Sequence, residues 1–421
     1  MDKLEIIGGR ALQGSMKVSG SKNASLPIIA SCILSNKIVL KNVPLVKDIE
    51  TMLNLLSSIG SKIKINHQNK TIKIDNSKKL KTIAKYQLVK TMRAGVLMLG
   101  PLLTKYRKAT VSLPGGCSIG TRPVDLHISS LKKMGAKIKI INGYIHATAK
   151  YGLKGARINF KKISVGATEN LIIAACMANG KTILTNCARE PEIKDLTNFL
   201  VKIGSKIRWI NKRKVEIEGV KKLNNANYSI MFDRIEAGTF MIAAAATRGS
   251  LAIKKIQPKI INKEIYILKQ MGVKIIEKKN KLTVIGSKKL RGIKIKTLPY
   301  PGFPTDLQAQ IMALMCKAKG NSAIQENIFE NRFMHVSELN RMGANIRIKG
   351  NKALIRGNVE FDGAEIMATD LRASVSLVLA GLISNKKTII NRIYHLDRGY
   401  ENLETKLSKC GVSVKRLEDG K

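Results

Sequence analysis

A chain of 421 residues with 44% hydrophobic content is long and apolar enough to bury two ordinary domains, which excludes wholesale disorder. Its longest apolar stretches, such as Leu171–Ala178 and Leu377–Ile383, fall far short of the roughly 18 to 20 residues of a membrane-spanning helix. The formal charge of +46 invites a nucleic-acid binder, but the lysines run along the whole chain and aromatic residues are only 4%, too few for base stacking, so a biased composition is the reading adopted.

The opening MDKLEIIGGR has no apolar core before a small-residue cleavage site, so no secretory signal is expected. From Ser21 the chain repeats itself. A buried-type helix, SKNASLPIIASCIL, is followed by an apolar strand and a second helix that closes on LLSSIGSKIKI at Gly60. TMRAGVLMLGPLL leads likewise to LKKMGAKIKI at Gly135, and VGATENLIIAACMA to LVKIGSKIRW at Gly204. IEAGTFMIAAAA leads to LKQMGVKII at Gly272, DLQAQIMALM to LNRMGANIRI at Gly343, and DLRASVSLVLAGLI to LSKCGVSVK at Gly411. These glycines lie 68 to 75 residues apart, and each is placed to end a helix in the left-handed conformation. A strand, a tight turn and a second strand follow, as at Asn142-Gly143, a strong hairpin signal. Six units of helix, strand, loop, helix, strand, turn, strand predict two three-unit domains. The break falls near Asn224–Ser229, and a ligand cleft is expected between the domains.

The six cysteines (Cys32, Cys117, Cys176, Cys187, Cys316, Cys410) are scattered and form no CxxC pair, and the five histidines have no metal spacing. Free thiols in a reducing cytoplasm are expected, with no metal or redox centre.

The copies stop agreeing at the starts of their buried helices. Aligned on an early alanine, the preceding residues are Asn23, Arg93, Gly166, Glu236, Gln308 and Arg372, with Lys22 and Asp306 close by. Capping would explain Asn23 and Asp306. It does not explain Lys22, Arg93 or Arg372, because a cation at a helix N-terminus opposes the dipole, and this points to an anion. Only the second copy carries PGGCSIGTRPVD (114–125), whose glycines predict a mobile loop and whose Cys117 has Arg122 nearby, a setting that makes a thiol reactive. FPTDLQAQ, ENRFMH and YHLDRGYE add Asp306, Arg332 and Arg398. Six cations at such positions, Lys22, Arg93, Arg122, Arg332, Arg372 and Arg398, exceed what one phosphate requires, so the substrates carry several anionic groups.

The strings SGSKNASLPI, LVKTMRA, SLPGGCSIGTRPVDLHIS, SVGATEN, REPEI, DRIEAGTF, FPTDLQAQ, ENRFMH, MATDLRAS and IYHLDRGYE resemble the enolpyruvyl transferase family along nearly the whole chain. The resemblance implies an α/β fold, an inside-out α/β barrel of two similar domains, each of three βαβαββ-type units. One domain would be 22–229; the other would be 230–421 with residues 1–21 joined to it. It implies closure around phosphoenolpyruvate and UDP-N-acetylglucosamine, without metal or organic cofactor; a cytoplasmic monomer is expected.

Carried over by motif, Lys22, Arg122 and Arg398 would hold the phosphoenolpyruvate phosphate, beside Asn23, with Arg332 and Arg372 near the carboxylate. Asn23, Arg93, Arg122, Pro123, Val124, Asp125, Leu126, Lys162, Ile163, Ser164, Val165, Asp306 and Ile328 would line the nucleotide-sugar site. The catalytic residues would be Cys117, Asp306, Lys22 and Arg398, with Asp306 as general base and Cys117 as proton donor or aid to product release and the target of fosfomycin. The sister activity on shikimate 3-phosphate is the nearest rival, and Cys117 within its loop argues for the nucleotide sugar. A catalytically dead repeat scaffold would not be expected to keep Lys22, Cys117, Asp306 and Arg398 together.

Overall fold

The computed structural model describes all residues except 1, 90–91, 114–123 and 419–421. Six helices have no polar face: α1 Lys22–Ser31, α2 Leu99–Tyr106, α3 Val165–Ala175, α4 Arg234–Ala246, α5 Gln308–Lys317 and α6 Leu371–Leu382. A helix that is apolar or small on every side must be enclosed. Accordingly α4 is buried along its whole length, and its run Ala243–Ala246 lets neighbours approach closely.

Between these come amphipathic helices such as Lys47–Ser58 and Pro191–Lys202, which bury one stripe only. The expected terminating glycines Gly60, Gly135, Gly204, Gly272, Gly343 and Gly411 all adopt positive φ, from 88° to 115°. Asn142 and Gly143, at φ 49° and 74°, form the expected tight turn between strands Lys137–Ile141 and Tyr144–Thr148.

Every copy builds one four-stranded sheet of the same order. In the third copy Arg157–Asn159 runs parallel to Lys181–Thr185, which pairs antiparallel with Lys214–Glu218, itself paired with Lys206–Asn211 at the edge. Three sheets are completed from a distance. Ala226–Ser229, after the third copy, lies parallel to Lys37–Lys41 of the first. Gln13–Lys17 lies parallel to Ser250–Lys254 of the fourth copy. Lys3–Ile7 sits between Lys387–Asn391 and Ser413–Leu417 of the sixth, antiparallel to both.

The chain divides into two compact units. One holds Met1–Ser19 and Phe232–Lys421; the other lies within residues 20–231. Each unit has three buried helices, three sheets and one continuous core, centred on Phe160 and Phe199 in the second and on Phe240, Phe303 and Phe361 in the first. This is the inside-out α/β barrel that the resemblance implied.

Two of the six helix starts differ from the simple expectation. TMRAGVLMLGPLL is not one helix but a 3-10 turn, Arg93–Met98, leading into α2, and Asp306 likewise lies in a 3-10 turn, Thr305–Leu307, ahead of α5. In the first case Pro101 has no N–H for a bond back toward Leu97, so the tighter turn precedes the helix. Among the described residues no helix is long and apolar enough to cross a membrane.

Two glycines separate conformational from steric cost. Gly135→Ala, at φ 90° with nothing within 4 Å of the added carbon, should cost about 1–2 kcal/mol for the left-handed backbone. Gly219→Ala would place its carbon 1.7 Å from the Ala178 carbonyl oxygen and should cost more. Urea unfolding followed by circular dichroism checks the order.

Candidate active site

In the first unit the core admits charge at the start of α5 and α6. Asp306 accepts hydrogen bonds from Arg332 Nη2 at 2.9 Å and Arg372 Nη2 at 2.7 Å. Both arginines are buried, while the carboxylate side chain is 26% exposed. Burial works against the Arg372 charge, and the adjacent Asp306 carboxylate more than offsets it, so the guanidinium is held well above its ordinary range. Two cations share one carboxylate, which leaves the group with an excess positive charge facing whatever enters.

The loops carrying these residues are tied together by Glu326. Its carboxylate accepts from Thr297 Oγ1 and Thr305 Oγ1, both at 2.9 Å, and from the backbone N–H groups of Ile328 and Phe329. Glu326 thus fixes the 297–306 segment against the 326–332 segment. Arg398 follows the short helix Tyr394–Asp397. Asp397 in turn is gripped by both terminal nitrogens of Arg416, at 2.6 and 3.1 Å, and Arg416 also reaches Glu404 and Asp2. Burial and the Arg398 charge push the His395 imidazole down, against Asp370.

Among the described residues, seven buried side-chain atoms without a hydrogen-bond partner fall on α5 and the loops around it: both amide atoms of Gln308, Gln310 Oε1, Arg332 Nε, His335 Nε2, Thr369 Oγ1 and His395 Nδ1. Each such orphan costs about 1–3 kcal/mol, a concentration that marks where a polar ligand would restore the missing bonds.

In the second unit Lys22 opens α1, which is capped by Ser21 and not by Asn23. Its ammonium lies 3.1 Å from Asp48 Oδ2, both groups buried. In the structure the negative charge opposite Lys22 and Arg372 comes from Asp48 and Asp306.

A second cluster forms around His127, one turn into helix Asp125–Lys133. Asn170 Oδ1 accepts from the Gly100 N–H at 2.8 Å, so its Nδ2 donates, to the Val96 carbonyl and to His127 Nδ1 at 2.9 Å. His127 therefore carries its proton on Nε2, which lies 3.6 Å from where a side-chain carbon on Gly166 would sit. Burial, opposed by Asp125 and aided by Arg93, lowers the imidazole pKa to about 4. The starts of the 93–98 turn, of helix Asp125–Lys133 and of α3 thus meet at one neutral ring. Ser164 caps α3 by accepting from the Ala167 N–H at 3.3 Å, after exposed Lys162 and half-buried Ile163. Val165 is exposed at the first helical position, and such a terminus favours an anion.

The structure thus brings together Asp306, Arg332 and Arg372, with Ile328 and Arg398 on adjoining loops of the same unit. Lys22, Asn23, Arg93, Val124, Asp125, Leu126 and Lys162–Val165 belong to the other. Cys117, Arg122 and Pro123 lie outside the described residues. Sequence reasoning missed Asp48, His127, Glu326 and Tyr400. His127 and Tyr400 stand inside strings already singled out, VDLHIS and YHLDRGYE, whereas Asp48 and Glu326 had only the weak signal of an acid in a basic chain. Among the described residues no cluster of His, Cys, Asp or Glu has the composition of a metal site.

A sequence profile described as EPSP synthase (3-phosphoshikimate 1-carboxyvinyltransferase) matches residues 6–407. A Pelagibacter ubique (strain HTCC1062) protein named UDP-N-acetylglucosamine 1-carboxyvinyltransferase is 63% identical over 418 residues, covering 99% of this chain and all of that one. Proteins of the same name from Rickettsia canadensis (strain McKiel) and Geotalea daltonii are each 53% identical, over 99% and 100% of this chain and the whole of theirs. Among solved structures, the enolpyruvyl transferase NikO from Streptomyces tendae superposes with a TM-score of 0.88 at 21% identity, covering 99% of this chain and 98% of its own. EPSP synthase from Acinetobacter baumannii gives 0.79 at 19% identity, covering 99% and 100%. At these identities the two structures speak to the fold.

The His127 geometry sets a pH dependence. Its pKa in the folded protein, about 4, lies below the ordinary 6.5, so the unfolded chain binds the proton first. Stability from this group is complete above pH 6.5 and falls as pH drops toward 4. Between pH 7.5 and 5 the wild type should lose about 2 kcal/mol more than His127→Gln, read by urea unfolding at each pH.

Proposed function

The chain belongs to the EPSP synthase family of enolpyruvyl transferases, and from that premise we propose that it moves the enolpyruvyl group of phosphoenolpyruvate to the 3-hydroxyl of UDP-N-acetylglucosamine. Phosphate is released, and the product enters peptidoglycan synthesis. The full-length identity to proteins of that name supports the choice of acceptor. The observation that carries the chemistry is the part-exposed Asp306 carboxylate held between two buried arginines.

The sugar hydroxyl adds to C2 of phosphoenolpyruvate as a proton reaches C3, giving a tetrahedral adduct; loss of a C3 proton and of phosphate then restores the double bond. We assign Asp306 as the base that receives the hydroxyl proton. Both of its oxygens accept from guanidinium groups, contacts that favour the ionised form and weaken it as a base. A substrate carboxylate arriving at Arg332 and Arg372 would share those donors and raise the basicity of Asp306 when it is needed. The excess positive charge then stabilises an anionic adduct without reorganisation. Lys22, Arg122 and Arg398 serve the phosphate, with Asn23 beside Lys22. Arg93, Arg122–Leu126, Lys162–Val165, Asp306 and Ile328 serve the nucleotide sugar, whose diphosphate suits the capped start of α3. Cys117 serves C3 protonation or product release.

We place the enzyme in the cytoplasm as a monomer. Its five described cysteines are all free thiols, in keeping with a reducing compartment. Burial raises the Cys176, Cys187 and Cys316 thiols to about 12 and pushes Cys32 and Cys410 up as well, so none of them is a competent nucleophile.

Purified protein given phosphoenolpyruvate and UDP-N-acetylglucosamine should release phosphate, and fosfomycin should stop it while adding its mass to the Cys117 peptide alone. Release with shikimate 3-phosphate in place of the nucleotide sugar would move the assignment to the sister activity; no release with either acceptor would refute it. Asp306→Asn should lower kcat about 10²–10⁴-fold while the protein stays folded by circular dichroism.

A further inference from the structure

Tyr400 is buried, 3% exposed, and its hydroxyl meets three polar atoms: Thr239 Oγ1 at 2.8 Å, Arg372 Nη1 at 3.3 Å and Gln310 Nε2 at 3.3 Å. A phenol offers one proton and two lone pairs. The arginine nitrogen can only donate. The Gln310 nitrogen is identified as the donor end of its amide because it also reaches the Asp306 carbonyl oxygen, at 2.8 Å. The second Gln310 N–H is shared between the phenol, at 3.3 Å, and Thr239 Oγ1, at 3.4 Å; with Arg372 and Gln310 both donating to the phenol, its own proton goes to Thr239. Thr239 can accept it, since its own proton goes to the Ile235 carbonyl one turn back along α4, at 2.9 Å.

Every proton in this chain has one direction, from Arg372 through Tyr400 and Thr239 to the α4 backbone. The Tyr400 ring also lies 5.7 Å from the Arg372 guanidinium, within reach of a cation–π contact. The loop is seated on α6, because a side chain on Gly399 would meet Leu371 at 2.6 Å. One end of the network grips the side chain of Arg372, and the other, through Gln310, grips the backbone of Asp306.

We infer that Tyr400, backed by Thr239 and Gln310, is a positioning residue: it aims the Arg372 guanidinium so that one terminal nitrogen faces Asp306 while the remaining N–H groups present themselves to the carboxylate of phosphoenolpyruvate. This rests on the assignment of Arg372 to that carboxylate. Tyr400 touches neither substrate and acts through Arg372.

Tyr400→Phe keeps the ring and removes the acceptor. It should lower kcat/KM for phosphoenolpyruvate about ten- to a hundredfold, the range for one hydrogen bond to a charged group, while KM for UDP-N-acetylglucosamine stays within about twofold. Thr239→Val, which strands the phenol proton, should move the same parameter in the same direction; Thr239→Ser should restore it. The double variant Tyr400→Phe/Thr239→Val should lose no more than Tyr400→Phe alone, since Thr239 works through the phenol. Calorimetric titration with phosphoenolpyruvate alone provides a reading independent of turnover, and should show the same weakening. An active wild type with unchanged phosphoenolpyruvate parameters in Tyr400→Phe, additive losses in the double variant, or a fall in melting temperature alone would overturn the positioning role and leave the activity standing. A wild type that neither turns over nor binds phosphoenolpyruvate would sink both readings.

Discussion

A helix with no polar face has to be walled in, and this chain has three such helices in each of its units. The sheets and amphipathic helices form that wall, and the sequence spends its alternating patterns on them. The enclosure has one opening: the first turn of each buried helix, where backbone N–H groups lack partners and loops arrive from the surface. Several of the buried charges sit there. Lys22, Arg234, Glu236, Gln308 and Arg372 are all buried at such starts. The architecture thus decides where chemistry can be placed before any particular residue decides what it is.

Once there, each charge is held by another. Asp48 meets Lys22, Asp306 meets Arg332 and Arg372, and Lys406 meets Glu236, whose carboxyl is pushed up by burial. Removing one partner from a buried pair leaves an uncompensated charge and is far costlier than losing a surface pair. The surface follows a different rule. Lys37 and Lys62 flank Asp75, and Lys181 and Lys206 flank Glu218, in rows whose exposed partners contribute little stability. The large net charge belongs to these outer faces and the balanced networks to the interior.

The repeat was legible because its markers are local. A glycine that must be left-handed, or an Asn-Gly turn, carries its conformation in its own chemistry, and all six terminating glycines and the Asn142-Gly143 turn are found as read. The cations were legible because they interrupt apolar helix starts. Asp48, the partner of Lys22, was not, nor was Glu326, since they lie 26 residues from Lys22 and 20 residues from Asp306, and nothing in their neighbourhoods distinguishes them from a cap or a solvated acid. The 3-10 start at Asp306 was hidden for a related reason: its carboxylate meets Arg332, 26 residues on in the same copy, and Arg372, from the next copy.

The strand Lys3–Ile7 lies between Lys387–Asn391 and Ser413–Leu417, with Lys3 opposite Leu417. During synthesis that strand is made well before either of its partners. The unit within residues 20–231 falls between the two main parts of the other and has every strand of its three sheets in hand by Ser229. The other unit must keep an apolar N-terminal strand unpaired while an entire unit forms behind it, an arrangement that exposes a sticky edge for the length of translation. Such an order makes its demand on chaperones in the interval before Lys387–Asn391 is made, and a product lacking Ser413–Leu417 would leave Lys3–Ile7 with one edge open.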